Sequence, residues 1–149
     1  MPQVSVVAET TSSLLSVNDK PRLILPSYQR DYVWKPELSR QLWDDMFHHL
    51  LSENQAGNDP TPYFLGNVII EQQLNPAERH LVDGQQRLTA ISRMAFAVRD
   101  ALLIFPEEKG TPLALTKAVE LQNDLLIYVR DDIIYNRLQP QDRPEGAWL

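Results

Sequence analysis

The sequence predicts a single α+β domain with a small mixed sheet and three or four helices. Three observations lead there. Arg22 to Leu25 reads as a short apolar strand cut off by Pro26. Asn67 to Gln72 and Arg79 to Asp83 read as two strands joined across an Asn75-Pro76 turn, as hairpin partners are. Gly84 then breaks the second strand, and from Gln85 the residues Leu88, Ile91, Ala95, Val98, Leu102 and Phe105 recur three or four apart, the spacing of a helix face.

The remaining elements follow in order. Ser27 to Lys35 is a loop rich in aromatic and polar groups, and Pro36 opens a helix at its first turn with Glu37 near the positive end. Leu38, Leu42, Met46 and Leu50, with Trp43 and Phe47 beside them, give that helix an apolar face, so Trp43 and Phe47 are expected in the core. Ser52 to Pro62 is a polar loop. Thr111-Pro112 signals another helix, continued by Leu115, Ala118, Leu121 and Leu125, and Asp131 to Leu138 fits either helix or strand. Pro stands at most of these boundaries, where its fixed φ and missing N–H end regular structure.

Composition narrows the function classes. The 149 residues, 43% hydrophobic and 23% charged, suit one folded domain over 1–149 with its core at about 20–130. The net charge of −6 does not draw nucleic acid by bulk electrostatics, so DNA contact requires a local basic patch or another domain. The absence of cysteine excludes disulfides, thiol nucleophiles and cysteine-based zinc sites. The first residues lack the charged start and apolar stretch of a signal peptide, and no apolar run is long enough to span a bilayer. A cytoplasmic protein without membrane association is the expectation.

Chemistry concentrates at Leu81-Val82-Asp83-Gly84-Gln85-Gln86-Arg87-Leu88-Thr89-Ala90. A glycine between a strand and a helix leaves the first backbone N–H groups of the helix open to an anion, with no side chain to hold a phosphate away. Arg87, one turn in, can present a guanidinium fork to that phosphate. Asp83 can hold a magnesium ion or orient a water. From spacing alone an equal reading makes Asp83 a helix cap and Arg87 a solvated charge.

Asp83-Gly84-Gln85-Gln86-Arg87-Leu88-Thr89 resembles the signature of the GmrSD-type restriction endonuclease N-terminal domain family. Two more blocks resemble the family's elements in type and order: Gln29-Arg30-Asp31-Tyr32-Val33-Trp34, similar to Q-R-x-Y-x-W, and Tyr63-Phe64-Leu65-Gly66 with Val68-Ile69-Ile70, similar to an F-L-G strand. The resemblance implies a ParB/sulfiredoxin-like fold, and Gly84 to Ala90 is similar to the G-x-x-R-x-x-A box with which ParB proteins hold nucleotide phosphates. It implies an NTP-binding and NTP-hydrolysing regulatory domain of a DNA restriction or phage-defence system, forming the N-terminal part of a longer protein. The nucleotide-binding residues would be Gln29, Arg30, Gly84, Gln85, Gln86 and Arg87. Asp83 and Arg87 would be catalytic, and Asp83 would hold Mg²⁺. DNA would be met through the full-length protein or a partner nuclease. The cysteine-dependent chemistry of sulfiredoxins is excluded.

Two other readings stand beside this one: a non-hydrolysing ParB-like nucleotide switch, and a module that senses DNA or binds protein through the same phosphate pocket. His48, His49 and His80 form no His-Asn-His pattern, so no nuclease activity is expected of this chain alone. Tyr28, Tyr32 and Trp34 can stack on a base, although an aromatic cluster beside a helix start is more often core. Asp44 and Asp45 point in different directions on a helix and fit a solvated face, while Glu71 is a possible second carboxylate. The apolar Ala147-Trp148-Leu149 ending suggests a natural chain that continues or packs against something else.

Overall fold

A computed structural model describes residues 5–15, 22–56, 61–72, 78–104, 112–130 and 133–140. The Asn75-Pro76 turn, Phe105 and Ala147-Trp148-Leu149 lie outside the described residues. In chain order the elements are α1 (Thr11–Leu15), β1 (Arg22–Leu25), α2 (Pro36–Ala56), β2 (Ile69–Gln72), β3 (Glu78–Asp83), α3 (Gln85–Ile104) and α4 (Pro112–Leu121). A π-helical turn, Gln122–Leu126, leads into β4 (Ile127–Arg130), β5 (Ile133–Asn136) and β6 (Leu138–Pro140). The fold is α+β, with a small mixed sheet as the sequence predicts.

The main sheet has the order β2-β3-β1-β6. β1 is central and parallel to both neighbours, pairing Leu23 with Arg79 on one side and with Leu138 on the other. Leu23, Ile24 and Leu25 are all buried, which is why this strand reads as an unbroken apolar run instead of an alternation. β2 runs antiparallel to β3, with an irregularity between Ile69 and Ile70, and the strand begins two residues later than the expected Asn67. β4 and β5 form a separate antiparallel pair.

Leu23 and Leu25 of β1, Leu81 of β3 and Leu138 of β6 meet Leu88 of α3 and Leu15 of α1 in the principal cluster. A second cluster joins Ala95 of α3 to Leu126 and Ile127, and Leu125 touches both. Leu15 and Leu138 fall outside the expected core span of 20–130, so the packed unit reaches further in both directions. The described part of the ambiguous 131–138 segment, residues 133–138, contributes strands, and Arg137 holds a buried position between them. Its guanidinium donates to the carbonyls of Leu15, Ile127 and Asn123, tying α1 and the π-helical turn to the entry of β6.

α2 corrects one expectation. No described side chain of this helix is buried, and Trp43 and Phe47 are 40% and 46% exposed instead of being core. The two rings stack on each other with centroids 6.4 Å apart, which shelters part of their surface without a covering element. Polar contacts fasten the helix. Tyr32 Oη and Ser39 Oγ lie 2.8 Å apart near its start. Further along, His49 Nε2 bonds the Thr61 carbonyl at 2.8 Å, and the Thr61 N–H donates to Glu53 at 3.0 Å. That N–H holds the Glu53 carboxyl below its ordinary pKa.

Candidate functional site

β3 ends at Asp83 and α3 begins at Gln85, so the chain must turn within one residue. Gly84 makes the turn at φ +96°, a conformation that side chains disfavour. A Cβ there would also approach a Val68 methyl to 3.0 Å. The Gly84 carbonyl accepts the first helical bond, from Leu88 N at 3.0 Å. The N–H groups of Gln85, Gln86 and Arg87 precede that bond and have no acceptor within the helix. Having no side chain, Gly84 cannot cap them as Ser, Thr, Asp or Asn would.

The Ser27–Lys35 loop lies across this turn, held by glutamine side chains from both blocks. Gln29 Nε2 donates to the Val82 carbonyl at 2.9 Å, and Gln85 Nε2 donates to the Arg30 carbonyl at 2.9 Å. Gln86, 9% exposed, accepts from Val33 N at 2.9 Å and donates to the Asp31 carbonyl at 3.1 Å. Nothing local brings residues 29–34 to residues 82–87. These amides do.

The result is a cleft of about 210 Å³ lined by Gln29, Arg30 and Trp34 from the loop and by the continuous run Asp83 to Arg87. Every residue expected at the site therefore borders one space. Arg30 is exposed, and among the described residues its guanidinium has no hydrogen-bond or ion-pair partner; it pairs with neither Asp31 nor Glu37. The Asp83 carboxylate is likewise exposed, and among the described residues it is unpartnered and the sole carboxylate in the wall. Glu71 lies on β2 opposite His80 and does not line the cleft, and Asp44 and Asp45 are exposed on α2.

Arg87 is placed differently. Its Nη1 donates to the Leu65 carbonyl at 2.6 Å and its Nη2 to the Asn67 carbonyl at 2.7 Å. The side chain thus borders the cleft while both terminal nitrogens hold the segment that precedes β2.

Trp34 is the wall residue that sequence reasoning undervalued by favouring a core role for the aromatic cluster. The structure divides that cluster. Tyr28 is exposed, Tyr32 packs under Arg93 with the guanidinium 5.0 Å from its ring centre, and Trp34 borders the cleft. The available signal was position: Trp34 stands five residues from Gln29 within the same loop block.

Residues 12–145 match the family model described as GmrSD restriction endonuclease, N-terminal domain. The chain belongs to this family. It is accordingly a component of a restriction system of the phage-defence kind. No curated protein matches the chain. Among the described residues no helix is long and apolar enough to cross a membrane, and no group of three or more His, Cys, Asp or Glu side chains is placed to hold a metal ion.

Proposed function

We propose that this GmrSD N-terminal domain binds a nucleoside triphosphate by its phosphate chain at the β3–α3 turn and hydrolyses it to control a nuclease elsewhere in the restriction system. The observation that carries the reading is that Arg30, whose guanidinium has no partner among the described residues, lines one open cleft with a helix N-terminus that no described side chain caps. A positive charge beside free helix N–H groups suits an anion. The cleft's volume of about 210 Å³ is below the usual range for a pocket that encloses a whole small molecule, roughly 300–1,000 Å³. Phosphates would enter it with the base left at the rim, and Trp34 of the wall would give that base a ring to stack on.

Magnesium suits this arrangement. It keeps several waters and takes one or two carboxylates together with substrate phosphates, so a lone accessible Asp83 is a sufficient protein ligand. Bound there, the ion would offset phosphate charge. Asp83 itself would orient a water toward the terminal phosphate, the Gln85 and Gln86 N–H groups would hold phosphate oxygens, and Arg30 would close over them. Such a domain acts where DNA is restricted, in the cytoplasm, and meets DNA through the full-length protein or a partner nuclease.

Calorimetry of the purified chain with each of the four NTPs and their nucleosides, with magnesium, tests the reading. Tighter binding of an NTP than of its nucleoside is expected. Absence of NTP binding, or equal affinity for the nucleoside, overturns it. Salt-dependent DNA binding without nucleotide binding would instead assign the pocket to a DNA backbone.

A further inference from the structure

We infer that Arg87 is a positioning residue, not a phosphate ligand: its guanidinium clamps the Leu65–Gly66–Asn67 segment behind the turn, and Arg30 alone of the two arginines touches the bound anion. The inference rests on the nucleotide-binding reading and assigns the work within that site.

Leu65 and Asn67 each offer a carbonyl to one terminal nitrogen of Arg87, at 2.6 and 2.7 Å. Between them Gly66 stands at φ +93°, and a Cβ built there would lie 1.9 Å from Arg87 Nη1 and 3.1 Å from Cζ. Gly66 is thus a seat cut to the guanidinium. A residue with a side chain would strain at this backbone angle and push the guanidinium aside. The clamp also closes on itself. Val68, the next residue after Asn67, sets a methyl carbon 3.0 Å from where a Gly84 Cβ would stand, so the clamped segment forms the rear wall of the phosphate turn. Arg87, Leu65 to Val68 and Gly84 make one ring of contacts around the start of α3.

An arginine whose two terminal nitrogens are held by carbonyls is poorly placed to offer its planar fork to a phosphate, since turning toward the cleft would break both bonds and strip the part-buried Leu65 carbonyl of its donor. Arg30 faces no such cost, because its guanidinium has no partner among the described residues. The backbone of Arg30, held by Gln85, keeps the side chain at the cleft's edge.

Lysine keeps the charge of Arg87 but cannot bridge two carbonyls in fork geometry. Under the clamp, Arg87→Lys, Arg87→Ala and Gly66→Ala all weaken magnesium–ATP or magnesium–GTP binding to similar extents. The double variant Gly66→Ala/Arg87→Ala is no worse than either single one. Amide exchange at Gly66 to Val68 rises in these variants without nucleotide, while protection at Leu23 to Leu25 persists. Arg30→Ala loses about ten- to a hundredfold in affinity, as expected for a hydrogen bond to a charged group, with exchange at 66–68 unchanged. The wild-type chain supplies a check that needs no variant to fold. In nitrogen-detected spectra the Arg87 guanidinium should be protected without nucleotide and little changed on its addition, whereas the Arg30 guanidinium should shift. An unprotected Arg87 that shifts on nucleotide addition, or an Arg87→Lys variant of near wild-type affinity with normal exchange at 66–68, overturns the inference. Absence of NTP binding to the wild type overturns the functional reading alone, because exchange at 66–68 still judges the clamp.

Discussion

Gln86 in the first turn of α3 holds Val33 from the opposite block of sequence: its Oε1 accepts the Val33 N–H at 2.9 Å while its Nε2 donates to Asp31 O at 3.1 Å. One side chain therefore satisfies both a donor and an acceptor of a loop, 53 and 55 residues away. It does so from a nearly buried position, where an amide left without partners would be costly.

Replacing Gln86 with Met keeps the length and removes both bonds. The Val33 N–H and the Asp31 carbonyl then lose their partner, and a net loss of about 1–3 kcal/mol in unfolding free energy is expected. Urea denaturation followed by far-UV circular dichroism measures it. The loop should also come away from the turn, so NTP affinity should fall although Gln86 contributes no charge. Unchanged stability together with unchanged affinity would mean that the loop is held in place without this residue.

Arg30 separates binding from folding. Its exposed guanidinium has no partner among the described residues, so Arg30→Ala should shift unfolding free energy by no more than about 0.5 kcal/mol, as surface substitutions do. Nucleotide binding should weaken by about 1.5–3 kcal/mol. Paired thermal melts and calorimetry on one preparation test both halves. A large drop in melting temperature would show that Arg30 has a structural role.

The strand–glycine–helix junction was legible because each of its signals is local. Val82 and Asp83 end a strand, Gly84 permits a positive φ, and Leu88 and Ile91 begin a helical period. The α2 face was only half legible. Its spacing identifies a helix with an apolar stripe, but the spacing does not say that another element will cover it, and Trp43 and Phe47 remain exposed. β6 was not legible at all, since its parallel pairing of Leu138 with Leu23 is a long-range contact that leaves no trace in a short apolar run. The position of Arg87 was hidden for the same reason. Its partners are backbone carbonyls of Leu65 and Asn67, and carbonyls carry no residue-specific signature.

A negative result is also expected. The three histidines of the chain form no His-Asn-His pattern, and among the described residues no acidic or histidine cluster is placed to hold a catalytic metal pair. The purified chain should leave supercoiled plasmid intact with magnesium or manganese, with and without NTP. Nicking that vanishes in Asp83→Ala would move DNA cleavage into this domain.

Asp83 decides between a hydrolase and a switch. Its carboxylate is exposed and bonds none of the described residues, so Asp83→Asn changes charge with almost no change of shape and should fold as the wild type does. If Asp83 orients the attacking water or holds magnesium, the variant should bind NTP to within a few-fold of wild type when magnesium is absent. It should lose the tightening that magnesium gives, and its steady-state phosphate release should fall by about 10²–10⁴-fold, the usual contribution of a positioned acid–base group. Malachite-green phosphate assays and calorimetry with and without magnesium read these separately. Wild-type chain that binds NTP yet releases no phosphate would make the domain a nucleotide switch, with Asp83 acting on affinity alone. Phosphate release that survives in Asp83→Asn would remove Asp83 from the chemistry and require another group, since among the described residues no second carboxylate lines the cleft.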